Sequence, residues 1–225
     1  MEISNLKLVS IVNFVRGGKS SVSRLLAETL GSTILNFDPK RDSEFYNAIK
    51  TINIPENATI ERKKDVLELE TDDEIIEISS STNFFICDFG GRFDERIAEF
   101  ESDLYILPTM DDYESISETI RATKYILRHN PKARIIHILN MAQSFGADEK
   151  EEFRDGYKSN IEAVELSFIP FIEMPRSKLV KKMINNKELE TDIIGDNNFL
   201  KKGSYRQIKN FTDDLIELMK KEMKL

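Results

Sequence analysis

Asn13-Phe-Val-Arg16-Gly17-Gly18-Lys19-Ser20-Ser21 brings together the residue types that can cradle a phosphate chain. The segment follows an apolar run, Leu6–Phe14, that reads as a buried strand. It opens Ser20–Leu30, where Val22, Leu25, Leu26 and Leu30 recur at helical spacing and Gly31 stands where a helix would end. Strand, glycine-rich turn and helix, in that order, form the setting a phosphate-binding loop requires. Gly17 and Gly18 let the backbone turn tightly and aim its N–H groups at phosphate oxygens. The helix N-terminus adds unpaired donors and a favourable dipole. Lys19 supplies positive charge for the terminal phosphates, and Ser20 a hydroxyl for Mg²⁺. The pattern G-x-x-x-x-G-K-[ST] is met except at its first position, where Asn13 stands. Asn tolerates a left-handed backbone, so the turn is expected to survive the exchange. The alternative, a chance strand–Gly-Gly–helix turn, is disfavoured by the flanking elements.

Two carboxylates follow at expected strand ends. Asp38, in Leu35-Asn36-Phe37-Asp38-Pro39, can accept a proton from an attacking water or orient it; the alternative is an Asp that caps the next turn. Asp88 ends the apolar run Phe84–Cys87 and suits a metal-holding carboxylate, with Gly90 and Gly91 behind it able to move when a phosphate arrives. Other chemistry is poorly supplied. His129 and His137 match no metal-ligand spacing, and neither has the partners of a Ser–His–Asp arrangement. Cys87 reads as an inert core thiol.

The elements that must position these residues alternate along the chain. Short apolar runs at Ile34–Phe37, Phe84–Cys87, Leu104–Leu107, Arg134–Leu139 and Ser167–Ile172 are separated by helix-length segments. One such segment, Tyr113–His129, has Ile116, Ile120, Thr123 and Leu127 on one face; a last amphipathic helix carries Phe211, Leu215, Leu218, Met219 and Met223. This is the pattern of βαβ units: an α/β fold with a mostly parallel, twisted sheet covered by helices on both faces, as in P-loop NTPases. Glu61–Ile78 departs from it, with two alternating runs, VLELE and EIIEI, around Thr71-Asp72-Asp73. It reads as a small acidic β-hairpin inserted at about 55–80, its acids a solvated face. The whole of 1–225 is expected to form one domain. With 225 residues, a formal net charge of −8, one Cys and no apolar run near the ~20 residues of a membrane span, a cytoplasmic protein with no membrane association is expected.

These segments together resemble the ParA/MinD-type, deviant-Walker-A branch of the P-loop ATPases, especially its small plasmid-partition and plasmid-stability members. VRGGKSS stands in for the family's KGGxGK[ST][ST], LNFDPKRD is similar to its D-x-D-P-Q switch, and FFICDFGGRFD to its Walker-B and following switch. ESDLYILPTMDDYESI, IIHILNM and FIPFIEMPRSKL resemble the strands and turns that follow. The resemblance implies ATP and Mg²⁺ as cofactors. It implies that Lys19 contacts phosphate, Ser20 and Asp88 hold the metal, and Ser21 lies near the α-phosphate. It further implies that Asp38 orients the attacking water, Asn140 contacts the adenine and Pro175 lines the base.

The sequence also departs from that pattern. The family's signature lysine, which crosses an ATP-bound dimer interface, is Phe14 here, the glycine two positions on is Arg16, the first switch acid is Asn36 and the switch Gln is Lys40. A homodimer in the ATP state is therefore expected to be weaker than usual, with Arg16, always charged and forked, partly compensating. Arg176, Lys178, Lys181 and Lys182 form a cluster without acids that could track a DNA backbone; the alternative is an ordinary solvated face. The resemblance implies slow ATPase activity, non-specific DNA binding, a ParB-like or other adaptor, and the positioning of plasmid or chromosomal cargo. Its competitors are a metabolic enzyme of the dethiobiotin synthetase type and a degenerate ATP-binding sensor or scaffold.

Overall fold

A computed structural model describes residues 6–14, 17–38, 49–90, 95–141, 146–176 and 199–225. In chain order the elements are β1 (Lys7–Ile11), α1 (Lys19–Leu30), β2 (Thr33–Asn36), β3 (Thr51–Asn53), β4 (Thr59–Arg62), β5 (Leu67–Glu70), β6 (Ile75–Ile78) and β7 (Phe84–Asp88). Then follow α2 (Arg96–Glu99), β8 (Leu104–Met110), α3 (Tyr113–His129), β9 (Ile135–Asn140), α4 (Ala147–Ala163), β10 (Phe171–Met174) and α5 (Phe199–Met223).

Seven strands form one sheet in the order β10-β9-β8-β1-β7-β2-β3, every neighbouring pair parallel. Its strands are apolar almost throughout because both faces are covered. Alternate residues feed two cores. Val9, Ile11, Ile34, Ile86, Ile106, Ile136 and Ile138 pack with α1 and with the stripe Ile208, Phe211, Leu215, Met219 and Met223 of α5. Leu8, Val12, Leu35, Phe85, Leu107 and Leu139 face the other way, towards Ile116, Ala122 and Ile126 of α3 and Phe153, Tyr157 and Ile161 of α4. Helix α3 begins where the Ser115 N–H donates to the Asp112 side chain (2.7 Å), and Arg128 and His129 lie at its negative end.

The insertion is larger than a hairpin. β5 and β6 pair as expected around Thr71–Glu74, but β4 adds a third antiparallel strand, and β3 joins the edge of the main sheet beside β2. Leu67, Leu69 and Ile78 turn inward onto the second core while Glu61, Glu68 and Glu77 share one rank across three strands. Lys63 answers that rank, its Nζ 2.6 Å from Glu61 and 3.7 Å from Glu68. Arg62 fastens the insertion to the strands' amino ends, pairing with Asp103 (2.9 Å) and donating to the Glu101 carbonyl (2.8 Å). No helix among the described residues is long and apolar enough to cross a membrane.

Candidate functional site

The carboxyl ends of the central strands stand level. Asn36 of β2, Asp88 of β7 and Ile11 of β1 share one rank, so the two acidic segments and the glycine loop leave the sheet side by side. That is the edge at which open α/β sheets bind ligands.

Asn13 and Gly17, at the two ends of the β1–α1 connection, both lie against β8. The Asn13 amide donates to the Pro108 carbonyl (2.6 Å) and to Thr119 Oγ1 (3.0 Å). β8 offers that carbonyl because it runs on to Met110, past the end of β1; the Val12 N–H takes the Ile106 carbonyl and the Asn13 side chain takes the next one on the same side. A proline is tolerated there because its missing N–H points at the side β1 has vacated. Gly17 is required by closeness: a Cβ on it would lie 2.0 Å from the Pro108 oxygen. Gly18 caps α1 at φ 90°, and a Cβ there would lie 2.4 Å from Asn140 Nδ2. Asn13 itself does not adopt the left-handed backbone expected of it; its side chain, not its φ, makes the residue fit.

Lys19 and Ser20 form the first turn of α1 and are both buried, at 5% and 6% exposure. Ser20 Oγ has no hydrogen-bond partner among the described residues. A buried hydroxyl without a partner is costly unless a ligand completes it. No group of three or more His, Cys, Asp or Glu among the described residues could hold a metal.

On the other side, the Phe37 N–H donates to the Asp88 carbonyl (2.9 Å), and the Asp38 N–H to Asn36 Oδ1 (3.1 Å). Asn36 in turn donates to Asn53 Oδ1 (2.8 Å). Gly90 lies against Asp38, and a Cβ on it would approach the carboxyl carbon to 3.3 Å. Asp88 is buried; Asp38 is partly exposed.

A chain of buried hydrogen bonds runs from the loop into the core. Thr119, which accepts from Asn13, donates to the Ser115 carbonyl (2.8 Å), and one turn on Thr123 donates to the Thr119 carbonyl (2.8 Å). Thr123 Oγ1 lies 2.8 Å from His137 Nε2, and His137 Nδ1 lies 2.6 Å from the Tyr157 hydroxyl of α4. Thr123 has one proton and gives it to a carbonyl, so Nε2–H must donate to Thr123 and Nδ1 must accept from Tyr157. Burial holds the His137 imidazole neutral, its pKa pushed down to about 3, and pushes the Tyr157 hydroxyl up, so both groups keep the protonation this order needs.

The expected site residues therefore divide. Asn13, Gly17, Gly18, Lys19, Ser20, Ser21 and Asn140 converge on the loop, where the Asn140 amide donates to the Gly17 carbonyl (3.2 Å). Pro175 follows Met174, which is in register with Asn140. Asp38 and Asp88 meet through Phe37. Arg176 is half-buried just beyond. Arg16, Lys178, Lys181 and Lys182 lie outside the described residues. Phe14 is turned inward, 8% exposed, edge-on to Tyr125 at 6.2 Å and under Arg121 at 5.6 Å. Sequence reasoning gave Pro108 no contact with the loop and gave Thr119 no part at all; only the proline inside a strand run offered a signal.

No protein-family model matches the chain, and no curated protein matches it. Solved structures do match, and they show an α/β fold like that of the P-loop nucleoside triphosphatases. Apo McdA from Cyanothece is similar at a TM-score of 0.60 and 13% identity, over 91% of this chain and 98% of that one. A ParA-family ATPase from Chlorobium tepidum TLS reaches 0.56 at 12% identity, over 93% and 98%. A putative plasmid partition protein from Borrelia burgdorferi B31, bound to AMPPNP, reaches 0.54 at 14%, over 92% and 98%. At these identities the likeness speaks to the fold, and the fold is that of the ParA-type ATPases.

Proposed function

We propose that the protein is a Mg-ATP-dependent partition-type ATPase that positions plasmid or chromosomal cargo through a nucleotide-controlled monomer–dimer switch and non-specific DNA binding. The observation that carries the reading is the buried Ser20 hydroxyl, without a partner among the described residues, beside Lys19 at the start of α1. A fold shared with a partition protein that binds an ATP analogue supports it.

The chain's own residues supply most of the work. Lys19 and the α1 N-terminus hold the phosphates, and Gly17 and Gly18 let the backbone close on them. Ser20 and Asp88 would hold Mg²⁺, which would neutralise phosphate charge when bound. Asp38, held by Asn36 and backed by Gly90, orients the attacking water. Asn140 and Pro175 receive the base at the far side of the loop. Slow turnover follows from the absence of any other candidate base in the sequence.

Because Phe14 packs inward on α3, position 14 does not extend a cation to a partner, and we infer a weak ATP-state dimer in which Arg16 makes part of the missing contact. DNA contact is assigned to Arg176, Lys178, Lys181 and Lys182, presented twice by a dimer, and an adaptor of the ParB kind would stimulate turnover.

One set of measurements tests the core of this reading. Calorimetry should detect Mg-ATP binding to the parent and to Asp38→Ala, and none to Lys19→Ala, while turnover falls to a low residual rate in Asp38→Ala and is absent in Lys19→Ala. Light scattering should show dimers with a non-hydrolysable ATP analogue and monomers with ADP. A well-folded parent that gives no heat with Mg-ATP would defeat the reading.

A further inference from the structure

A single guanidinium ties the Asp38 strand end to the turn between β3 and β4. Arg96, half-buried on α2, donates from Nη2 to the Phe37 carbonyl (3.2 Å) and from Nη1 to the Pro55 carbonyl between β3 and β4 (3.3 Å). Its Cζ also lies 5.2 Å from the centroid of the Phe37 ring. Phe37 stacks on Phe89 at 4.3 Å and 16°, and Phe100 meets both rings edge-on at 5.4 and 6.2 Å. Phe37 precedes Asp38 and Phe89 follows Asp88, so the packed rings and the guanidinium join the residues next to each acid. α2 itself is short, and the Phe100 N–H closes it onto the Arg96 carbonyl (2.8 Å).

We propose that Arg96 is a positioning residue that sets Asp38 relative to Asp88, so that the water-orienting acid is in place only when α2 is seated against Phe37. The proposal rests on the reading of Asp38 given above. The carbonyl that Arg96 holds belongs to the peptide bond leading into Asp38, so its hold acts on the acid's backbone and not on its carboxylate. The guanidinium suits this because its planar fork carries donors on separate nitrogens and can satisfy two carbonyls at once. A lysine would keep the charge over the Phe37 ring but concentrate its donors on one nitrogen. Small displacements of a positioned group cost rate steeply, whereas ATP affinity is set at the loop on the other side of β7.

The test is steady-state turnover and ATP calorimetry on the full chain, as parent, Asp38→Ala, Arg96→Ala, Arg96→Lys and the Asp38→Ala/Arg96→Ala pair. Arg96→Ala should lower kcat by about tenfold or more, with the Kd for ATP within about twofold, because only positioning is lost. Arg96→Lys should fall between Arg96→Ala and the parent. The pair should turn over no more slowly than Asp38→Ala alone, since Arg96 acts through Asp38. A merely structural arginine would give rate losses that multiply in the pair. That result, or a kcat for Arg96→Ala within twofold of the parent, overturns the proposal alone. If Arg96→Ala does not fold, Arg96→Lys decides: turnover equal to the parent overturns the proposal, and a lowered kcat with unchanged Kd supports it. A parent whose turnover is indifferent to Asp38→Ala overturns the reading of Asp38, and the proposal with it.

Discussion

The phosphate-loop rim and the inserted sheet both carry polar residues at high density, and they treat them in opposite ways. At the rim, Asn13, Lys19, Ser20, Asp88 and Asn140 are all buried, and the Asn13 and Asn140 amides each reach a particular backbone carbonyl, of Pro108 and of Gly17. On the insertion, Glu61 and Glu77 stand in water with Glu68 half-covered between them, and one lysine answers the rank. A buried polar group is costly unless its partner is in place, whereas a solvated carboxylate loses little when it is changed. The same composition thus gives one region in which single atoms decide and another in which only the apolar underside matters.

Gly17→Ala should break the comparison most severely. The added carbon has no room against the backbone oxygen of Pro108, so the loop must move, costing about 3 kcal/mol. Thermal unfolding and ATP calorimetry should both report it, and a variant as stable as the parent would show that the loop is not held against β8. Asn13→Ala comes next. It leaves the Pro108 carbonyl and the Thr119 hydroxyl without their donor, at about 2 kcal/mol by denaturant titration. Asn13→Gly, which supplies the glycine of the G-x-x-x-x-G-K-[ST] pattern at that position, should cost no less, because it is the side chain that acts.

The relay at His137 extends the comparison into the core through pH. Its folded pKa lies below its ordinary value, so the unfolded chain binds a proton that the folded one refuses. The stability it contributes is complete above pH of about 6.5 and is lost as pH falls from there towards 3, with a slope of roughly 1.4 kcal/mol per unit. His137→Gln should flatten that part of the pH profile; an unchanged slope would assign the acid sensitivity to other groups. Smallest of all should be Glu68→Gln on the insertion, with stability within about 0.5 kcal/mol of the parent and ATP affinity unchanged. A large loss there would mean that the acidic rank is held as tightly as the rim.

Much of the rim could be read from the sequence because its signals are local. The strand, glycine pair and first turn of α1 are contiguous, and α3 has clear bounds because Asp112 and Pro131 bracket an unbroken apolar period. What escaped was set by residues far apart in the chain. That Asn13 reaches Pro108 depends on β8 outrunning β1, which no local pattern encodes. β3 and β4 hold one isoleucine each, too little for a period, and they become strands only because β2 and β5 offer an edge. α4 buries only Phe153, Tyr157 and Ile161, a stripe too thin to stand out among its charges. The last strand lies later than Ser167–Ile172 suggests because Pro170 ends one segment there and gives its carbonyl to the His137 N–H (3.0 Å).

The turn between β5 and β6 has a practical use. It closes on itself, the Thr71 N–H donating to the Glu74 carbonyl (2.9 Å) and the Glu74 N–H to Thr71 Oγ1 (3.2 Å), with Asp72 and Asp73 exposed at its tip. Exposed tips of this kind accept insertions readily. Arg62 anchors the insertion at the amino ends of the main strands, away from the carboxyl ends that carry the loop and both acids. A fluorescent domain spliced between Asp72 and Asp73 would therefore travel with the protein in a living cell while leaving the rim untouched, which makes the acidic turn the natural handle for following where the molecule goes.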